Sequence, residues 1–172
     1  VSEDENSVCS PINLYIAFAM LAETSDGNTR QQILDMLGAQ DMDTLRENVS
    51  SLWESNYADT PALKSVLANS LWLDKEETYN DTTLQRLAEQ YYASTFRGTP
   101  GSKEMDQALQ TWTDNNTGGL LKEYTKDMAI APDTVFELVS TIYYKAMWRE
   151  NFWEVNTEKE TFHGLSLIHI SE

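Results

Sequence analysis

The 172-residue sequence has one cysteine, two histidines and only 12 basic residues, and each scarcity closes off a class of function. A lone Cys9 has no partner for an internal disulfide and fits no zinc or thiol-catalysis pattern by itself. It reads as a small buried hydrophobe. His163 and His169 do not stand at metal-ligand spacing with a helical carboxylate pair, so both are assigned to structure or solvent contact. Basic residues are outnumbered by 28 acidic ones, for a net charge of −16, and that field repels nucleic acid, heparin-like chains and anionic membranes. The longest apolar run, Ile12 to Ala22, contains Asn13 and Tyr15 and is too short for a membrane span, so the chain reads as soluble. An initiator methionine and a signal segment are also missing, which places the natural start upstream and leaves secretion open.

Motifs for catalysis are equally thin. Ser10 lacks the glycine-flanked elbow of a nucleophilic serine. Gly118-Gly119 lacks the spaced glycines and lysine of a phosphate loop. Neighbouring carboxylates such as Glu76-Glu77 carry no weight in so acidic a chain. Sequons at Asn48, Asn80 and Asn115 arise easily by chance. No enzyme chemistry, metal or cofactor is implied, and no repeat or linker divides the chain.

What the sequence does hold is a well-punctuated series of helices and two strands. Ser10 is a good N-cap and Pro11 a good first helical residue, since proline lacks only an N–H that a helix start leaves unpaired. Behind them Ile12 to Ala22 form a helix apolar on nearly every side, which belongs in the protein's interior. A second helix is expected from Asn28 or Thr29, with Gln32 completing a capping box, Ile33, Met36 and Leu37 inward, and Gly38 as its stop. Leu45, Val49, Leu52 and Trp53 predict an amphipathic helix over Asp41 to Ser55. Asn56 to Pro61 reads as loop and Leu63 to Leu73 as a strand. Leu84, Leu87, Ala88, Tyr91 and Tyr92 predict a helix from Asp81 to Ser94, broken after Arg97. Met105, Ala108, Leu109 and Trp112 give a further one-sided helix, ending in the turn cluster Asn115 to Gly119. The near-continuous apolar run over Thr134 to Lys145 predicts a strand central in its sheet and covered on both faces.

Several segments, in order, resemble one family, the serpins. Asn6-Ser7-Val8-Cys9-Ser10-Pro11, Ala17-Phe18-Ala19-Met20-Leu21 and Gly27-Asn28-Thr29-Arg30 are similar to the serpin stretch leading through the long central helix into its successor. Leu67-Ala68-Asn69-Ser70-Leu71-Trp72 resembles the second strand of the large serpin sheet, and Tyr91 to Phe96 the helix end after it. Trp112 with Asn116-Thr117-Gly118-Gly119 resembles the helix lying across that sheet. Thr134 to Lys145, with Trp148, Phe152, Thr157 and Phe162-His163, resembles the third sheet strand and the turn beyond.

The resemblance implies an α+β serpin fold in truncated form, with residues 1–164 a partial domain and 165–172 a non-family tail. That tail, Leu165 to Glu172, is similar to a translated sequencing read-through, although its alternation also fits a strand. Asn6, Ser10, Asn13, Thr117 and Ser140 match the polar cluster called the shutter, which in serpins controls opening of the large sheet. Where most serpins place a second serine this chain has Asn13, and where they place asparagine in the third strand it has Ser140. Both residues still hydrogen-bond, so the cluster is expected to be rewired.

For the full-length parent the resemblance implies a secreted inhibitor that traps a serine, or less often a cysteine, protease by reactive-loop insertion. The loop is not in this chain. A non-inhibitory binding, storage or chaperone serpin, or an inactive fragment, is the alternative. Heparin-type activation is not expected, because the matching helix offers Arg46 alone among Asp41, Asp43, Glu47 and Glu54. With its neighbours missing, the third strand should expose unpaired N–H and C=O groups, so the fragment is expected to misfold or self-associate.

Overall fold

The computed structural model describes residues 9–150 together with Val155, Glu158 and Thr161. Asn6, Phe152, Thr157, Phe162, both histidines and the tail expected at 165–172 lie outside the described residues. In chain order the elements are α1 (Pro11–Thr24), α2 (Gly27–Leu37), α3 (Met42–Asn56), β1 (Ala58–Asp59), β2 (Leu63–Asp74), α4 (Asp81–Tyr91), β3 (Ala93–Gly98), α5 (Lys103–Asn116) and β4 (Phe136–Ala146). A 3-10 turn at Thr125–Asp127 lies between α5 and β4.

Side-chain caps start the helices. The Ser10 hydroxyl accepts from Asn13 N–H, Asp41 from Thr44, Asn80 from Thr82 and Thr83, and Ser102 from Met105. One start differs from expectation: Asp26, not Asn28 or Thr29, caps α2, because its carboxylate takes the Gly27 N–H. Gly38 ends that helix in the left-handed region at φ 69°, which glycine adopts without strain. The inward stripe of α2 is Ile33 and Leu34, while Met36 faces solvent.

β2 is the axis of the sheet. It pairs antiparallel with β4 from Leu63↔Ala146 to Leu73↔Phe136. Its other side carries β3 in parallel, from Asn69↔Ala93 to Asp74↔Gly98, and β1 antiparallel at Ala58↔Ser65. Alternation along β2 sends Leu67, Leu71 and Leu73 into a core with Ile16, Met20, Ile33, Leu45, Val49 and Leu87 from the first four helices. Trp72 faces the other way, into a second core with Met105, Leu109, Trp112 and Ile130, and stacks on Phe96 at 4.1 Å. The sheet thus lies between α5 on one face and α1 to α4 on the other, an α+β arrangement as the sequence implied.

Five further expectations need correction. The helix expected to reach Ser94 stops at Tyr91: Tyr92 takes the left-handed conformation at φ 52° and turns the chain into β3, a strand that the helical tyrosine spacing had masked. The loop expected over 56–61 contains β1, a two-residue strand. Cys9 is exposed, because it precedes α1 and packs into neither core. β4 is not central. Among the described residues it borders the sheet, and Phe136, Ile142 and Tyr144 remain exposed because no strand covers the side away from β2. The same open side leaves Leu14 and Phe18 of α1 exposed, so that helix is buried on one flank and not all round.

Candidate functional site

The middle of β4 is tied to the start of α1 by a short polar chain. Ser10, fixed as the N-cap, donates its hydroxyl proton to Asn13 Oδ1, and Asn13 Nδ2 donates to Ser140 Oγ at 2.7 Å. The two positions that depart from the serpin pattern are therefore bonded to each other, with the longer amide on the helix and the shorter hydroxyl on the strand. Thr117 reaches the same place from the opposite face. It is buried at the end of α5, its hydroxyl donates to the Thr113 carbonyl at 2.8 Å, and it lines with Ser10, Asn13 and Ser140 a hollow of about 380 Å³ beside the open edge of β4. Four of the five expected shutter residues thus come together, three of them in direct hydrogen-bond sequence. The fifth, Asn6, lies outside the described residues.

Two neighbours hold this cluster in place. Gly118, at φ +62°, lets the chain leave α5 so close to β4 that a Cβ there would stand 2.7 Å from the Tyr143 ring. Asn69 is the residue directly across from Ser140 in β2. The bonds from Asp74 N–H to Val135 O and from Met147 N–H to Ala62 O put the odd-numbered residues of β4 in the hydrogen-bonded pairs. Ser140 and Asn69 consequently form a non-hydrogen-bonded pair, the kind whose side chains approach most closely. Asn69 Nδ2 donates to the Tyr91 carbonyl at 2.8 Å, while its buried Oδ1 has no partner among the described residues. A line of polar groups therefore runs from Ser10 through Asn13, Ser140 and Asn69 to the end of α4.

The sequence reading missed a second polar centre. Glu23, near the far end of α1, has a side chain only 1% exposed. Its carboxylate accepts from Arg46 Nε at 3.0 Å and Nη2 at 2.8 Å, from Arg86 Nη1 at 3.4 Å and from the Tyr91 hydroxyl at 3.3 Å. Burial, reinforced by the Glu23 charge, pushes the Tyr91 hydroxyl well above its ordinary pKa, so it stays a donor. The Glu23 hydrogen bond likewise holds the Arg46 guanidinium above its usual value. Arg46, the one basic residue of α3, is turned inward to Glu23 and also bonds Asp43 at 2.7 Å. The available signal was an acid inside an otherwise apolar helix.

Nothing in either centre assembles a nucleophile with a base. Among the described residues no group of three His, Cys, Asp or Glu could hold a metal, and no helix is long and apolar enough to cross a membrane.

Comparison with known proteins agrees with this geometry. The family model described as Serpin (serine protease inhibitor) matches residues 1–167. Serpin-ZX of Arabidopsis thaliana is 28% identical over 170 residues, covering 96% of this chain and 44% of that protein. Human antithrombin-III is 29% identical over 174 residues, covering 94% and 37%. Serpin-Z2A of Oryza sativa subsp. japonica is 30% identical over 172 residues, covering 96% and 40%. Among solved structures, Arabidopsis AtSerpin1 in its native stressed conformation superposes with a TM-score of 0.80 at 27% identity, covering 95% of this chain and 43% of that one. Emu ovalbumin gives 0.81 at 18% identity, covering 93% and 46%, a likeness of fold alone. The chain spans less than half the length of each of these relatives.

Proposed function

The chain belongs to the serpin family, and from that premise we propose that its full-length parent inhibits a serine protease, or a cysteine protease, by inserting its cut reactive loop beside β4. Strand addition of this kind is a known property of serpins and not an inference of ours. The observation that carries the reading is β4 itself: eleven residues fully paired to β2 on one side, with no strand on the other among the described residues, and with Asn13 bonded to Ser140 near its midpoint. A strand can enter only beside such an edge, and a cluster fastening the edge to α1 sets how readily the sheet admits it. In this reading Ser10, Asn13, Thr117 and Ser140, with Asn6, form the shutter.

Residues 1–164 are then part of one inhibitor domain, and the bait for the protease lies elsewhere in the parent. The parent is a trap and not an enzyme, and it is secreted. Polysaccharide activation through α3 is not expected, because Arg46 is engaged by Glu23 and Asp43. The test is to recover the gene downstream of His163 and incubate the full-length product with trypsin-like and elastase-like proteases. A covalent complex that survives a denaturing gel supports inhibition. Cleavage with no complex assigns the parent to the non-inhibitory serpins.

A further inference from the structure

We propose that Asn69 is a positioning residue for sheet opening: its buried Oδ1 accepts the hydroxyl proton of Ser140 and so aims the Ser140 lone pair at Asn13. The hydrogen bond rests on the geometry of β2 and β4; its consequence for opening rests on the function proposed above.

The direction of the polar line is forced at both ends. Ser10 Oγ accepts the Asn13 N–H and gives its own proton to Asn13 Oδ1, which turns Nδ2 of that amide to Ser140 Oγ at 2.7 Å. At the far end the Tyr91 carbonyl can only accept, so Asn69 presents Nδ2 to it at 2.8 Å and keeps Oδ1 as an acceptor. Every donor in the line thus points the same way, from α1 across the sheet to the end of α4. Two groups are left over at its middle. Ser140, having accepted from Asn13, retains a hydroxyl proton, and Asn69, 1% exposed, retains an oxygen with no donor among the described residues.

These two residues are placed to complete each other. They stand directly opposite in β4 and β2, and alternation puts Asn69 on the same face as Leu67 and Leu71, the face that α1 packs against. In a non-hydrogen-bonded pair the Cβ atoms approach to about 5 Å, a gap that a serine hydroxyl and an asparagine carbonyl span with one bond. A buried acceptor left without a donor is costly, and turning the Ser140 O–H is the smallest movement that supplies one. The bond matters beyond its own ends. A Ser140 hydroxyl held by Asn69 offers Asn13 a fixed lone pair, and aligned donors strengthen one another, so Asn69 tightens the attachment of β4 to α1 through Ser140. Because β2 and β4 are paired along the whole of β4, they move as one block, and the Asn13 bond is where the sheet parts from the helix.

The experiment is hydrogen–deuterium exchange on the uncut full-length parent, with Ser140→Ala and Asn69→Ala combined in a double-mutant cycle. Each single variant should speed exchange over β4 by roughly fivefold or more, and the double variant should fall short of the product of the two by roughly fivefold, because one shared bond is lost in both. Ser140→Thr, which keeps the proton, should exchange as the wild type does. Should either alanine variant fail to fold, a crystal structure of the wild-type parent decides: Ser140 Oγ and Asn69 Oδ1 are expected within about 3.0 Å. In a parent that inhibits, Asn69→Ala should also shorten the life of the uncut inhibitor by a similar factor. No protease enters the exchange cycle, so a parent that forms no covalent complex counts against the inhibitory reading and not against the bond. Single effects that multiply in full, or a separation beyond about 3.5 Å, overturn the proposal.

Discussion

Glu23 and Asn13 sit near opposite ends of α1, and the groups around them are finished to very different degrees. The Glu23 carboxylate is buried and receives donors from Arg46, Arg86 and Tyr91, fastening α1 to α3 and α4. Asn13 holds β4 through one side-chain hydrogen bond, next to a hollow and an exposed strand edge. The contrast repeats in the strands: β2 is paired on both sides and buried over most of its length, β4 is paired on one side and buried at Thr141 alone. One end of α1 is locked into a helical core, and the other is lightly attached to an element with room beside it. Local opening is confined to regions with few buried contacts, so on the function proposed above the β4 end of α1 is where the sheet would part.

The largest way to break the contrast is at Glu23. Glu23→Ala leaves two guanidinium groups and a buried phenol without their acceptor. The expected loss is about 3 kcal/mol, at the low end for one partner of a buried pair because Arg46 and Arg86 are partly exposed. Urea unfolding of the variant should show it as a shifted midpoint with little change in slope. Gly118→Ala comes next. Its φ of +62° and the contact with the Tyr143 ring together make the variant about 2 kcal/mol less stable, with faster proteolysis around residues 117–124. Asn13→Ala removes the bond to Ser140 and should cost about 1 kcal/mol. Its effect should appear mainly as faster amide exchange over β4, with β2 unchanged; equal loss of protection in both strands would show that the two regions are not separate.

Legibility in the sequence followed the same division. Where a local chemical reason sufficed, the reading was right: the Ser10-Pro11 start of α1, the Gly38 stop and the paired strands at Leu63 and Phe136 all depend on neighbours in sequence. Ser10, Asn13, Thr117 and Ser140, singled out through the resemblance alone, line one hollow, and local sequence chemistry would not have linked them. Apart from the Asp26 cap of α2, a local signal that was passed over, what failed depended on distant partners. Apolar content alone could not say whether the third strand would be covered, since covering requires another strand. Tyr91 and Tyr92 share a helical spacing, yet only Tyr91 is buried, because Tyr92 adopts the turn that opens β3. Glu23 escaped notice because its donors come from α3 and α4, remote in sequence.

The smallest effect belongs to Glu137 on β4, and it should depend on pH. Burial raises the Glu137 carboxyl above its ordinary value of 4.5, so the folded chain binds that proton more tightly than the unfolded one. The resulting stabilisation is fully present below the ordinary carboxyl range and is lost as pH rises through the folded value, leaving a partly desolvated carboxylate at neutral pH. Glu137→Gln should therefore be neutral or slightly stabilising at pH 7, by less than about 0.5 kcal/mol for a group only partly buried, with the difference vanishing in acid. Thermal melts of both chains at neutral pH and in acid check this: a Glu137→Gln chain clearly less stable at pH 7 would mean that the fold stabilises the carboxylate, against the burial that raises it.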